Sequence, residues 1–105
     1  MPQNNSQINQ QTRQRTKQPQ MYDVILHNDD VTTMDFVVYV LQQVFFMSTE
    51  KATNLMLDVH NNGFAIVGTY TYDIALSKAQ KTTQMANDAG FPLRVSIAPT
   101  KDLPF

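Results

Sequence analysis

Between an apolar run with strand character, Tyr22-Asp23-Val24-Ile25-Leu26-His27, and an apolar run with helical spacing that starts at Met34, the chain inserts Asn28-Asp29-Asp30-Val31-Thr32-Thr33. An amide, two carboxylates and two hydroxyls stand together in those six residues. A strand-to-helix junction is where a small domain can aim polar groups outward without disturbing its core. Binding or chemistry is therefore expected here first.

The rest of the chain divides around that junction. Tyr22, Val24 and Leu26 alternate onto one face of a first strand. Thr32 is expected to cap the helix that follows, with Asp35 three residues on imitating a capping box. That helix should run to about Phe46, with Met34, Val37, Val38, Leu41 and Phe45 as its apolar stripe. Ser48 caps a second helix with Glu50 in its first turn, where the helix dipole favours an acid. The second stripe is Ala52, Leu55, Met56 and Val59, and Gly63 supplies the stop.

Phe64 to Tyr70 reads as a second strand, and Thr71 as the cap of a third helix with Ala75, Ala79, Thr82, Ala86 and Ala89 on its packed face. Gly90 followed by Pro92 ends that helix, and Leu93, Val95 and Ile97 alternate with Arg94 and Ser96 in a third strand. The pattern predicts an α+β domain of order βααβαβ, a three-stranded antiparallel sheet with three helices on one side.

Residues 1–20 are dominated by Gln, Asn, Thr and Ser, with Ile8 the only sizeable aliphatic after Met1. Too little apolar surface is available to offset the entropy of ordering, so a disordered extension is expected there, with the domain occupying 21–105. Arg13, Arg15 and Lys17 give the extension a charge of +3, whereas five bases against nine acids leave the remainder at −4. A mildly acidic domain argues against a nucleic-acid surface, and three charges in the extension make only a weak footprint for one. The chain has no cysteine, hence no disulfide or thiolate site. No run approaches the roughly 18 apolar residues of a membrane span, and the N-terminus lacks a signal-peptide stretch, so a cytoplasmic location is expected.

Three readings of the polar junction compete. It can be only a turn and a cap, the usual role of Asn and Asp before helices. It can be a metal-dependent hydrolase site using Asp29, Asp30, His60 and His27, although no HExxH or calcium-loop spacing accompanies it. Or it can be a cation site beside an apolar pocket. His60 follows Met56 by one helical turn and shares its face, so an imidazole, carboxylates and Met and Val side chains come from neighbouring elements.

The stretch Val24-Ile25-Leu26-His27-Asn28-Asp29-Asp30-Val31-Thr32-Thr33-Met34-Asp35-Phe36-Val37 resembles the NDD-x-T-x-M-E-F-V signature of the ClpS family, adaptors of bacterial Clp proteases. Ala52 to Gly63, with Met56-Leu57-Asp58-Val59-His60, resembles the family's second block; Gly63 to Gly68 and Phe91-Pro92-Leu93 extend the likeness over residues 21–97. Thr33 stands where the family frequently has Pro, and Asp35 where it has Glu.

The resemblance implies a binding protein without enzymatic activity or cofactor, acting as a monomer. It would recognise proteins whose first residue is Leu, Phe, Tyr or Trp and deliver them to a hexameric AAA+ unfoldase of the ClpA or ClpC kind, coupled to the ClpP peptidase. By motif, Asn28, Asp29 and His60 would hold the free α-amino group. Leu26, Thr32, Met34, Val37, Met56, Val59 and Leu93 would form the side-chain pocket, with Met34 as a gate against β-branched first residues. Asp73 and Lys78 match an acid and a lysine that dock the unfoldase, although the intervening Ile74-Ala75-Leu76-Ser77 differs from the family. The extension would be engaged by the unfoldase during handover, and 20 residues reach at most about 70 Å. The chemistry suits these residue types. An α-amino group, with a pKa of about 8, is largely an ammonium with three donors near neutrality, and protonating His60 would replace an acceptor by a like charge, weakening binding in acid.

Overall fold

The computed structural model describes residues 19–101. Apart from Pro19 and Gln20, the expected disordered extension lies outside the described residues. Three strands and three helices follow in the expected order: β1 (Tyr22–His27), α1 (Met34–Gln43), α2 (Thr49–Asn62), β2 (Phe64–Tyr70), α3 (Tyr72–Ala89) and β3 (Arg94–Pro99). The sheet order is β2-β1-β3, antiparallel throughout.

β1 is the central strand, and it alone has two aliphatic side chains sealed completely. Val24 and Leu26 are 0% exposed, and their backbone is paired on both sides, Leu26 with Ala65 and with Val95. The alternate residues of β1 face outward. There, Ile25 lies opposite Ile66 and Ser96, and Phe64 and Ile66 remain exposed. The helices cover the other face: α3 packs on all three strands, and α2 bridges α1 and β2. Val37, Val40, Leu41, Ala52, Met56, Val59, Ala75 and Ala86 complete the core with the strand residues.

The caps fall largely where the side-chain chemistry puts them. Ser48 accepts from the Lys51 N–H at 3.1 Å. Gly63 and Gly90 take the left-handed backbone at φ 89° and 80°, closing α2 and α3, a conformation glycine enters without Cβ strain. Thr71 is the N-cap of α3 but makes no side-chain cap bond.

Three local expectations are corrected. The cap of α1 is Thr33, whose hydroxyl accepts from the Phe36 N–H at 3.1 Å, and not Thr32. The helix ends at Gln43, short of Phe46, which turns to φ 55° and is 79% exposed. A partner distant in sequence sets that end: Lys78 of α3 donates to the Val44 carbonyl at 2.7 Å. Its ammonium lies 5.7, 4.8 and 5.4 Å from the rings of Phe45, Phe46 and Tyr70, satisfying an orphan helix-end carbonyl where the dipole favours a cation. Finally, Ala89 is exposed, and the buried face of α3 is Ala75, Thr82 and Ala86.

The β1–β2 ladder shifts register between Val24 and Ile25, pairing them with Gly68 and Ile66 and leaving the buried Val67 as the extra residue. Tyr70 then folds its ring over Gly68, so a Cβ at Gly68 would meet ring atoms Cε2 and Cζ at 2.6 and 2.7 Å. The ring is not free to swing, because it packs against Phe45 and beneath Lys78. Gly68→Ala should therefore lower stability by about 1–3 kcal/mol, the usual cost of overpacking. In a domain of this size each 1 kcal/mol moves the thermal midpoint by roughly 4–8 °C, which a melting curve reads directly.

Candidate binding site

A cavity of about 400 Å³ opens at the end of the domain where β1 gives way to α1 and α2 gives way to β2. Two hydrogen-bonded features bring those segments together. The Asn28 N–H donates to the Gly63 carbonyl at 2.9 Å, tying the loop after β1 to the end of α2. Gly63 itself closes α2 through its N–H to the Val59 carbonyl, so residues of α2's last turns, Met56, Val59 and His60, stand opposite the loop.

Within the loop, Asp29 is the organiser. Its Oδ1 accepts from the Val31 and Thr32 N–H groups at 2.8 and 2.6 Å, and its Oδ2 accepts from the Thr32 hydroxyl at 2.7 Å. Burial pushes the Asp29 carboxyl pKa up, but the bonds from the Thr32 N–H and hydroxyl and the Val31 N–H outweigh it, and the net direction is downward. The group is thus held as a carboxylate. An ionised carboxylate offers about four lone-pair sites. Oδ1 has two engaged and Oδ2 one, so Oδ2 retains an acceptor site for a further donor.

The rest of the lining sorts by chemistry. Val37, Met56 and Val59 are buried and give an apolar floor. Met34, the first residue of α1, also lines the cavity and is 43% exposed. Thr32 is half-buried at the edge, and Asn28, Asp29, Asp30 and His60 bring the polar atoms. Among the described residues no Lys or Arg lines the cavity, so its two carboxylates set the field there and favour a cation.

Of the expected pocket residues, Leu26 and Leu93 do not line this cavity; both are buried in the core. Val31 and Thr33 do line it, and no sequence signal beyond their place in the loop marked them. Asp73 is exposed in the first turn of α3, away from the cavity, and Lys78 is half-buried against the end of α1.

The hydrolase reading loses its ligand set. Among the described residues no group of three or more His, Cys, Asp or Glu could hold a metal. His27 points away with the outward side of β1, where its Nε2 shares a 2.8 Å hydrogen bond with Ser96 Oγ. Burial, and then the charge of Arg94, push its pKa down, favouring the neutral ring. A second hollow of about 350 Å³ between α3 and β3 is lined by Ala79, Gln80, Thr83, Gln84, Asn87 and Val95. Among the described residues it has no ionisable side chain in its lining, so it does not compete as a site for a charged ligand. Among the described residues no helix is long and apolar enough to cross a membrane.

The geometry has close counterparts. The family profile described as ATP-dependent Clp protease adaptor protein ClpS matches residues 17–96. An ATP-dependent Clp protease adapter protein ClpS from Desulfatibacillum aliphaticivorans is 50% identical over 86 residues, 82% of this chain and 83% of that protein. Its counterpart from Campylobacter jejuni subsp. jejuni serotype O:23/36 is 51% identical over 89 residues, 83% of this chain and 93% of that one. Among solved structures, Agrobacterium tumefaciens ClpS2 bound to L-phenylalaninamide aligns with a TM-score of 0.77 at 40% identity, covering 79% of this chain and 100% of the other. Proteins of this kind are adaptors, not enzymes. With about half of its aligned residues shared with these relatives and the same fold over 79% of its length, the chain belongs to the ClpS family of ATP-dependent Clp protease adaptors.

Proposed function

We propose that the chain captures proteins by a free N-terminus whose first residue is Leu, Phe, Tyr or Trp, and delivers them to a ClpA- or ClpC-type AAA+ unfoldase in the bacterial cytoplasm. The observation that carries this reading is the juxtaposition of an apolar floor with a pinned carboxylate that keeps an unused acceptor site. An N-terminal Phe or Leu joins an ammonium and an apolar side chain on one carbon atom, and both halves find a match. The ammonium needs three acceptors: Asp29 Oδ2, the Asn28 side-chain oxygen and a neutral nitrogen of His60. The side chain enters over Val37, Met56 and Val59, past Met34 and Thr32, while Leu26 and Leu93 support the pocket from the core. The L-phenylalaninamide bound by the Agrobacterium relative carries the same pair of groups, a free α-amino group and an apolar side chain.

The magnitudes suit an adaptor. Burying one Leu or Phe side chain contributes about 1.5–3 kcal/mol, and each hydrogen bond to a charged group roughly 1.5–3. After the cost of association is subtracted, micromolar or somewhat tighter binding follows, strong enough to capture and weak enough to release. Neither half suffices alone. A Lys side chain offers ammonium without the adjacent apolar group, and an internal Leu offers the reverse.

Delivery involves a second surface, Asp73 and Lys78 on α3, with the chain acting as a monomer and residues 1–20 reaching toward the unfoldase during handover. Lys78 already serves the fold through the Val44 carbonyl, so its substitution would confound docking with stability. The exposed Asp73 is the cleaner probe. Asp73→Asn should weaken retention on an immobilised unfoldase N-terminal domain while leaving N-terminal peptide binding intact; unchanged retention removes Asp73 from the contact.

Fluorescence anisotropy with a labelled peptide beginning Phe or Leu tests the binding step. Acetylating the peptide terminus, or Asp29→Ala, should each weaken binding at least tenfold, the loss of one or more charge-assisted bonds. Equal affinity for free and acetylated peptides would refute the assignment.

Asp29 also makes a pH-dependent contribution. Its folded pKa is lowered from 3.8, so the unfolded chain takes up the proton first. The resulting stabilisation is complete above the unfolded value and is lost as pH falls through the folded one. The midpoint difference between wild type and Asp29→Asn should therefore be steady above about pH 5 and shrink progressively in stronger acid, as read from melting curves across that range.

A further inference from the structure

The chain has six methionines and no cysteine, so thioethers are its only oxidisable sulfur. They are unequally placed. Of the five in the described residues, Met56 is buried; Met21, Met47 and Met85 are half-buried; Met34 is exposed. Met34 is also the most exposed apolar side chain shared by α1 and the cavity, at 43%, while the cavity's other methionine, Met56, is 9% exposed. Access to solvent oxidants and contact with the ligand space thus coincide in one residue.

We propose that Met34 is an oxidation site, and that its conversion to the sulfoxide closes the cavity to apolar first residues. The consequence for binding rests on the adaptor reading above; the site preference does not. The reaction takes one peroxide, hydrogen peroxide in the simplest case. The sulfur lone pair attacks one peroxide oxygen, the O–O bond breaks, an S–O bond forms, and the second oxygen leaves as water after taking up the proton. Sulfur loses two electrons and the peroxide gains them.

The product replaces a flexible apolar group by a polar, chiral one. Two consequences follow from where Met34 sits. The sulfoxide oxygen is a strong acceptor on the wall that an apolar side chain must cover, and covering an acceptor without a donor is costly. None of Val37, Met56 or Val59 can supply that donor, since their side chains have none. The ammonium end of the cavity is left intact, because Asp29 is held by Val31 and Thr32 and not by Met34. Oxidation therefore removes the side-chain half of recognition and spares the charge half. Methionine sulfoxide is reducible enzymatically, so the change is reversible.

The test treats the full-length protein with graded hydrogen peroxide, maps the added oxygen by peptide mass spectrometry, and measures affinity for a labelled peptide with a free N-terminal Phe. Met34 should gain oxygen ahead of Met21, Met47, Met56 and Met85, with affinity falling roughly tenfold or more in step with its sulfoxide fraction. Methionine sulfoxide reductase should restore both. Met34→Leu, whatever its own starting affinity, should keep that affinity through the same treatment. Preferential oxidation of Met21, Met47, Met56 or Met85, or a Met34 sulfoxide that binds the peptide as tightly as the thioether, overturns the proposal. Absence of binding by the untreated protein would instead overturn the adaptor reading, and the proposed closing with it.

Discussion

Asp29 takes three hydrogen bonds from two residues of its own loop, and the cavity end of the molecule is arranged around that fact. A carboxylate satisfied by local N–H groups fixes the turn and keeps its charge despite partial burial. Because Thr32 is drawn into this ring, its hydroxyl is unavailable to α1, and the capping role passes to Thr33. The helix then starts at Met34, which puts a long apolar side chain at the cavity edge one turn before Val37. One carboxylate thereby sets the helix start, the position of the methionine and the direction of the free acceptor.

Much of the fold was legible because its signals are local. Ser48, Gly63 and Gly90 act within one turn of themselves, and the alternation in Tyr22 to Leu26 and in Leu93 to Ile97 reports burial residue by residue. What was misread depends on partners remote in sequence or on competition between like groups. Thr32 and Thr33 offer the same hydroxyl to the same helix, and only the turn geometry decides between them. The end of α1 depends on Lys78, 34 residues away from the carbonyl it meets. The extra residue at Val67 is a property of the paired strands and has no single-strand signature.

The candidate site was legible differently. The polar loop stood out by composition, and His60 by its helical spacing from Met56, but their meeting relies on the Asn28 to Gly63 bond, which no periodicity encodes. The resemblance to a known signature supplied what spacing lacked. It also named Leu26 and Leu93 as pocket residues, whereas both are buried in the core and neither lines the cavity. A sequence motif does not by itself separate residues that line a cavity from those packed beneath it. His27 illustrates the converse: its neighbours in sequence made it a candidate ligand, but strand alternation sends it to the opposite face from Leu26.

The arrangement along β1 divides the labour of an adaptor. The strand enters beside Thr100, where the Thr100 N–H meets the Met21 carbonyl, and leaves at Asn28 into the cavity loop. The first residues of the domain and the cavity loop are therefore at opposite ends of one doubly paired strand. Tyr22, at the entry end, packs edge-on against Tyr72 of α3 at 5.1 Å, next to the exposed Asp73. The face proposed for a delivery partner is thus continuous with the entry end of the sheet and apart from the cavity loop. Under the proposed function, changes at Asp29 or Met34 would act on what is held, and changes at Asp73 on where it is taken.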